Sequence, residues 1–244
     1  MKAIVFSLLI LLSLSIPALG FGSKGNAMEK HQVLSQRQQS IITIAAFTAS
    51  GDLDKLNTSL DKGLDAGLTI NEIKEVLVQM YAYAGFPRSL NGLATFMAVL
   101  DGRKAKGIED VVGKEASPIP DDFDKDEYGA DVRAKLAGLD KDISGARWQQ
   151  FAPIIDTFLK EHLFADIFVR DVISHQDREL ATIAALANMT GTEGQLGFHF
   201  GAAMNTGLSE DQMDEFISVL NASVGKAQAE NAWKILAQVL ADRK

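Results

Sequence analysis

The chain contains an internal repeat. "SIITIAAFTASG" (Ser40 to Gly51) returns as "ELATIAALANMTG" (Glu179 to Gly191), with Thr43-Ile44-Ala45-Ala46 falling on Thr182-Ile183-Ala184-Ala185 at an offset of 139. One residue is then gained. At an offset of 140, "AGLTINEIKEVL" (Ala66 to Leu77) matches "TGLSEDQMDEFI" (Thr206 to Ile217), Gly85 meets Gly225, Asn91 meets Asn231, and Val99-Leu100 meets Val239-Leu240. Chance similarity between helical segments rarely keeps one register through so many Gly and Asn positions. The unit is about seventy residues, longer than a solenoid repeat, so the reading is two copies of a small domain.

Each copy has helical periodicity. Apolar residues recur at spacings of three and four in Ile41, Ile42, Ala45, Ala46 and in Ile73, Val76, Leu77, Met80. "GLT" and "GLS" punctuate both copies: Gly67 and Gly207 can end a helix in a left-handed conformation, and Thr69 and Ser209 can cap the next one. Glu72 and Gln212 stand three residues after those caps, at capping-box spacing. Strand-like alternation is weak throughout, so the expected class is all-α. The expected organisation is a first domain at residues 28–103, a charged linker with two of the five prolines at 104–127, and a second domain at 128–244. The second domain is the longer, because helical stretches at Gly129 to Leu139 and Ala146 to His162 precede its repeat.

The N-terminus, "MKAIVFSLLILLSLSIPALGFG", reads as a secretory signal peptide over residues 1–20. Lys2 is the charged end, Ala3 to Ile16 the apolar stretch, and Ala18-Leu19-Gly20 the small-x-small cleavage signal. A membrane anchor is the competing reading, and Pro17 with the small residues after it favours cleavage. The expectation is a periplasmic or secreted protein with no stable membrane anchor. Cleavage removes one charge, Lys2, and moves the formal net charge from −8 to −9; an acidic chain without a basic block argues against nucleic acid as a partner. The chain has no cysteine, which excludes disulfides, thiol nucleophiles, thiolate metal sites and CxxC redox chemistry.

The chemistry-bearing stretch is "TEGQLGFH" (Thr192 to His199), where Gln195 and His199 stand four apart and Glu193 and His199 six apart on a helix. With its surroundings, "FADIFVRDVISHQDRELATIAALANMTGTEGQLGFHFGAAMNTGLSEDQMDEF" (Phe164 to Phe216), it resembles the front of the carboxymuconolactone decarboxylase family. "GLTINEIKEVLVQMYAYAGFPRSLNGLATFMAVL" (Gly67 to Leu100) resembles that family's back half, including its "YAGFP" signature. The resemblance implies a compact all-α fold and a homo-oligomer, here a trimer of two-copy chains imitating a hexamer. The family's redox branch, the alkyl-hydroperoxidase D-type proteins, carries a CxxC at the positions of Thr192 and Gln195, so peroxidase chemistry does not carry over. The copies are unequally equipped. Copy one keeps "YAYAGFPRSLN" (Tyr81 to Asn91) but has no histidine at the matching site; copy two keeps Glu193, Gln195 and His199 while its counterpart segment has become "NASVGKAQAEN". Either the halves complement each other in one composite pocket, or copy one kept its aromatic segment for packing alone.

The decarboxylase branch implies a cofactor-independent lyase or isomerase acting on a small carboxylated or lactone-like compound. Loss of CO2 leaves charge that must delocalise into the lactone carbonyl, so the site needs a cation for the carboxylate, a donor at the carbonyl, and an acid to protonate carbon. His199 suits the acid and base role, and Glu193 would orient it or share the proton. Arg88 and Arg170 are the candidate carboxylate clamps, with Gln195, Tyr81, Tyr83 and Asn91 as further substrate-binding candidates. No cofactor is required. Four scattered histidines (His31, His162, His175, His199) form no HExxH, and no metal site is expected. The reading from a different class is a non-catalytic small-molecule-binding or assembly protein that keeps the fold.

Overall fold

Helix after helix begins where a side chain can take up the free amides of its first turn. In the computed structural model, which describes residues 33–243, α1 (Gln36–Ser50) starts at Ser35, α3 (Ile70–Ala84) at Thr69 and α10 (Glu210–Val219) at Ser209, each in a reciprocal capping box with Gln38, Glu72 or Gln212. Gly67 and Gly207 take φ of +88° and +102°, closing α2 (Leu53–Asp65) and α9 (Glu193–Asn205) with a backbone that a side chain would strain. With α4 (Phe86–Ala105), α8 (His175–Ala187) and α11 (Lys226–Asp242), these elements form two matching sets. Start-to-start shifts are 139 for α1 and α8, and 140 for α2 and α9, α3 and α10, and α4 and α11. The sequence repeat is thus a structural repeat. Among the described residues every regular element is helical, and no helix is long and apolar enough to cross a membrane. The expected signal peptide and His31 lie outside the described residues.

The two copies share one core instead of each closing its own. The main apolar cluster runs from Ile41 and Ile44 of α1 through Val76 and Met80 of α3 to Ile183 of α8 and Phe200 of α9, and residues 33–243 fall within one compact unit. Helices α1 and α8 pack against each other at its centre. Polar cross-ties follow the same pseudo-twofold relation. Arg178 Nη2 of α8 donates to Glu75 Oε1 of α3 at 2.7 Å, and its counterpart Gln39 of α1 donates through Nε2 to Glu215 Oε1 of α10 at 3.0 Å.

The segment between the copies departs from the repeat. Residues 106–124 run without helix but are tied down: Ile70 N and Asn71 N donate to Val111 O and Val112 O, and Ser117 N donates to Asp171 Oδ1. Beyond it, α5 (Lys125–Ala137), the short α6 (Arg147–Phe151) and α7 (Pro153–Thr157), and a π-helix at Phe158–Ile167 build a second, smaller core. Val132, Leu136, Leu163 and Phe164 pack there with Ala202 of α9, and Tyr81 and Tyr83 of α3 lie against them. This insertion makes the walls of the site.

Candidate functional site

A cavity of about 550 Å³ opens where the end of α3, the start of α9 and the insertion meet. Copy one contributes Ala82 and Tyr83; copy two contributes Leu186, Thr192, Gln195, Phe198 and His199. The insertion adds Ile143 and Trp148 from one side and Leu159, Leu163 and Phe164 from the π-helix. A π-helix carries one extra residue per turn and recurs at functional sites. The pocket is composite, as the uneven motifs suggested.

His199 is 5 % exposed and forms part of the wall. Its Nδ1 lies 2.7 Å from Oε2 of the fully buried Glu179. With the carboxylate as acceptor, Nδ1 carries the proton and Nε2 is left as the basic nitrogen. Two aromatic edges fix the ring: Tyr83 at 5.5 Å and Phe198 at 5.1 Å between centroids, both close to perpendicular. Glu179 Oε1 and the Tyr83 hydroxyl are buried and have no hydrogen-bond partner among the described residues. Burial, reinforced by the neighbouring Glu179 charge, pushes the Tyr83 phenol far above its ordinary value, so it stays protonated. Unpaired polar groups clustered around a buried imidazole are unusual in a core and typical of a working site.

The other expected site residues fall in different places. Gln195 lines the cavity one turn before His199, on the same face of α9. Glu193 stands exposed in the first turn of α9, away from the cavity lining, where its charge suits the helix dipole. Glu179 takes the place expected for it beside His199. Helical spacing within α9 does not point to it, because it lies on the preceding helix, 20 residues from His199. Neither expected arginine faces the cavity. Arg88 is exposed and its guanidinium lies over Gly51 at the end of α1; Arg170 makes a bidentate pair with Glu75, at 3.0 and 3.1 Å from Nε to the two oxygens. Tyr81 stacks on Phe86 with centroids 4.6 Å apart, outside the lining, and Asn91 is exposed on α4.

Among the described residues the arginine in the wall is Arg133 of α5, which the sequence did not single out. It is already engaged. Nε and Nη2 reach the two oxygens of Asp142 at 2.7 and 2.6 Å, and Nη1 reaches Asp156 Oδ1 at 2.6 Å. Gln149 Nε2 ties the same segment by donating to Asp156 Oδ1 and to Ile143 O at 3.1 and 3.0 Å. Burial alone would raise the Asp156 carboxyl, but the hydrogen bonds from Arg133 and Gln149 outweigh it and hold it below the ordinary carboxylate value. This clamp holds Ile143 and Trp148 over the cavity.

The Carboxymuconolactone decarboxylase family matches residues 21–96 and again residues 154–238, more than half of the chain. The chain belongs to this family. It is a tandem two-copy member, and the two matched regions meet at the cavity: Ala82 and Tyr83 come from the first, Leu163, Gln195 and His199 from the second. The positions where the redox branch would carry its cysteines are Thr192 and Gln195, and both line the same cavity. No curated protein matches the chain.

Proposed function

We propose that the protein is a cofactor-independent acid–base enzyme of the lyase or isomerase type, with His199 as the general acid and base. The observation that carries this reading is the buried His199–Glu179 pair set into the wall of an apolar, composite cavity. Nε2 takes a proton from a carbon next to a carbonyl, and the electron pair moves into the carbonyl oxygen. The amide of Gln195, with no protein partner among the described residues, donates a hydrogen bond to that oxygen. Glu179 orients the ring and stabilises the imidazolium, and return of the proton from Nε2 to a conjugated carbon completes an isomerisation. In a lyase reaction the enolate would instead re-form the carbonyl and the Cα–Cβ double bond while a leaving group departs from the β-carbon with its bonding electrons and takes up the proton from Nε2. Family membership supports the fold and this class of chemistry.

Export and self-association complete the proposal. The Lys2, apolar-stretch and Ala18-Leu19-Gly20 pattern supports a signal peptide, and the family match opens at residue 21, next to the cleavage signal. Exposed apolar side chains along α4 (Phe86, Leu90 and Met97) support contact with further copies.

The test is proton exchange in deuterated water, followed by proton NMR, on a panel of small ketones and unsaturated lactones. Wild type is expected to exchange the proton next to the carbonyl of at least one compound, with His199→Ala and Glu179→Gln both defective. Exchange that survives His199→Ala at the wild-type rate removes the mechanism. Binding without exchange in wild type would favour the non-catalytic binding protein.

A further inference from the structure

Decarboxylation of an acid needs a cation to seat the carboxylate, and among the described residues the cavity lining has none free. Four arginines are candidates, Arg88 and Arg170 from the sequence and Arg133 and Arg178 from the structure; Arg147, next to Trp148, is exposed and outside the lining. Arg88 is on the surface over Gly51. Arg170 and Arg178 converge on Glu75, with Arg178 also bonded to Gln79 and to the Arg170 carbonyl, and Arg178 is fully buried. Arg133 alone reaches the wall, and it faces two carboxylates, Asp142 and Asp156. That cluster of three groups carries a net charge of −1, and Lys160, a further cation felt by Asp156, is itself paired with Asp126. An anion entering here would lose hydration and meet like charge.

The rest of the lining is apolar. Ile143, Trp148, Leu159, Leu163, Phe164 and Phe198 supply most of the surface; Thr192 Oγ1 is committed to Leu186 O and the Tyr83 hydroxyl is buried, which leaves Gln195 and His199 as the polar groups on offer beside the engaged Arg133. Such a wall rewards burial of a hydrocarbon or aromatic body and offers one donor and one base to a single polar head.

We propose that the cavity takes an uncharged, largely apolar molecule bearing one carbonyl or lactone group, and discriminates against carboxylates of the same shape. Asp142 and Asp156 set this preference by occupying Arg133, so they act as specificity-determining residues without touching the ligand. The inference rests on this cavity being the working site, and it replaces the carboxylated substrate expected from the resemblance with a neutral one.

The test is isothermal titration of the full chain with 2-acetylnaphthalene and 2-naphthoate, and with acetophenone and benzoate, pairs that differ chiefly in the charge. Wild type is expected to bind the neutral member of each pair about ten-fold tighter or more. Asp156→Asn, which keeps the clamp's shape and its Asp142 bond while relieving one negative charge, is expected to narrow the gap by strengthening carboxylate binding. Gain of affinity is a readout that simple damage to the fold cannot mimic. Equal or tighter binding of the carboxylates by wild type overturns the inference, and so does failure of the neutral members to bind at millimolar concentration. The proposed chemistry fails separately. A neutral preference without proton exchange leaves the specificity standing and removes the catalysis, whereas exchange confined to carboxylates does the opposite.

Discussion

The molecule has a second cavity that is the pseudo-twofold counterpart of the first. It has nearly the same volume, about 530 Å³ against about 550 Å³, and its lining is the first cavity's lining carried across the repeat. Ala222 and Ser223 stand for Ala82 and Tyr83, Phe47 for Leu186, and Lys55, Thr58 and Ser59 for Gln195, Phe198 and His199. Ser40 stands for Glu179. The backbone keeps the hollow while three exchanges to serine remove the imidazole, its carboxylate and the aromatic edge. Shape here belongs to the helix packing, which both copies must keep to share a core, whereas chemistry belongs to side chains that either copy can change alone. The first cavity also has the insertion and its Arg133 clamp over it.

The widest separation between the two cavities is expected in catalysis. His199→Ala should lower the proton-exchange rate by about 10²–10⁴-fold, the usual range for a lost general acid or base, while Ser59→Ala in the counterpart leaves it unchanged. A comparable loss from Ser59→Ala would mean that the chemistry is not confined to one copy.

Next come the cross-ties. Arg178→Met takes away one of the two arginines on the buried Glu75 carboxylate, leaving Arg170, and strips Gln79 of its charged donor; it should cost about 3 kcal/mol in urea unfolding. The counterpart Gln39→Met removes one half-buried bond to Glu215, for about 1 kcal/mol. Similar costs would show that the charge on Arg178 is immaterial.

A smaller effect separates the fourth helices. A methyl at Gly92 of α4 would come within 2.9 Å of Leu77 Cδ2 and 3.3 Å of Thr48 Cγ2, whereas the counterpart in α11 is already the buried Ala232. Gly92→Ala should destabilise by about 1 kcal/mol despite its better helix propensity. A stabilised variant would mean that the two helices sit equally close to the core.

The smallest effect is in pH. The folded-state Asp156 carboxyl lies below its ordinary value, so the clamp's contribution is complete above pH 3.8 and is lost as pH falls through the lower folded value. Trp148 emission in a Trp233→Phe background should be flat from neutral pH down to about that point and change only below it. A transition in the range where histidine titrates would transfer control of this segment to another group.

Part of this was legible in the residues alone. The caps at Thr69 and Ser209 are set by hydrogen bonds spanning three residues, and the left-handed Gly67 and Gly207 by the absence of a side chain, so spacing and residue type suffice. That the two copies could share a pocket was one of two readings left open by the uneven motifs; the contact of Tyr83 with His199 is a matter of helix packing. The insertion was harder to read. Its π-helix has no distinctive local signature, and the trio of Arg133, Asp142 and Asp156 has no regular spacing.

By itself, then, the sequence determined the duplication, the helical class, the helix boundaries at Gly67, Thr69, Gly207 and Ser209, and His199 with Gln195 on one helical face. Those features depend on repeat spacing and on contacts within one turn. Tertiary structure alone decided which carboxylate serves His199 and which arginine reaches the cavity. Glu179 lies 20 residues from His199 on another helix, and Arg170 is claimed by Glu75 from 95 residues away. A long charged side chain pairs with whatever helix packing brings within its reach, and that distance is not written in the local spacing of any one helix.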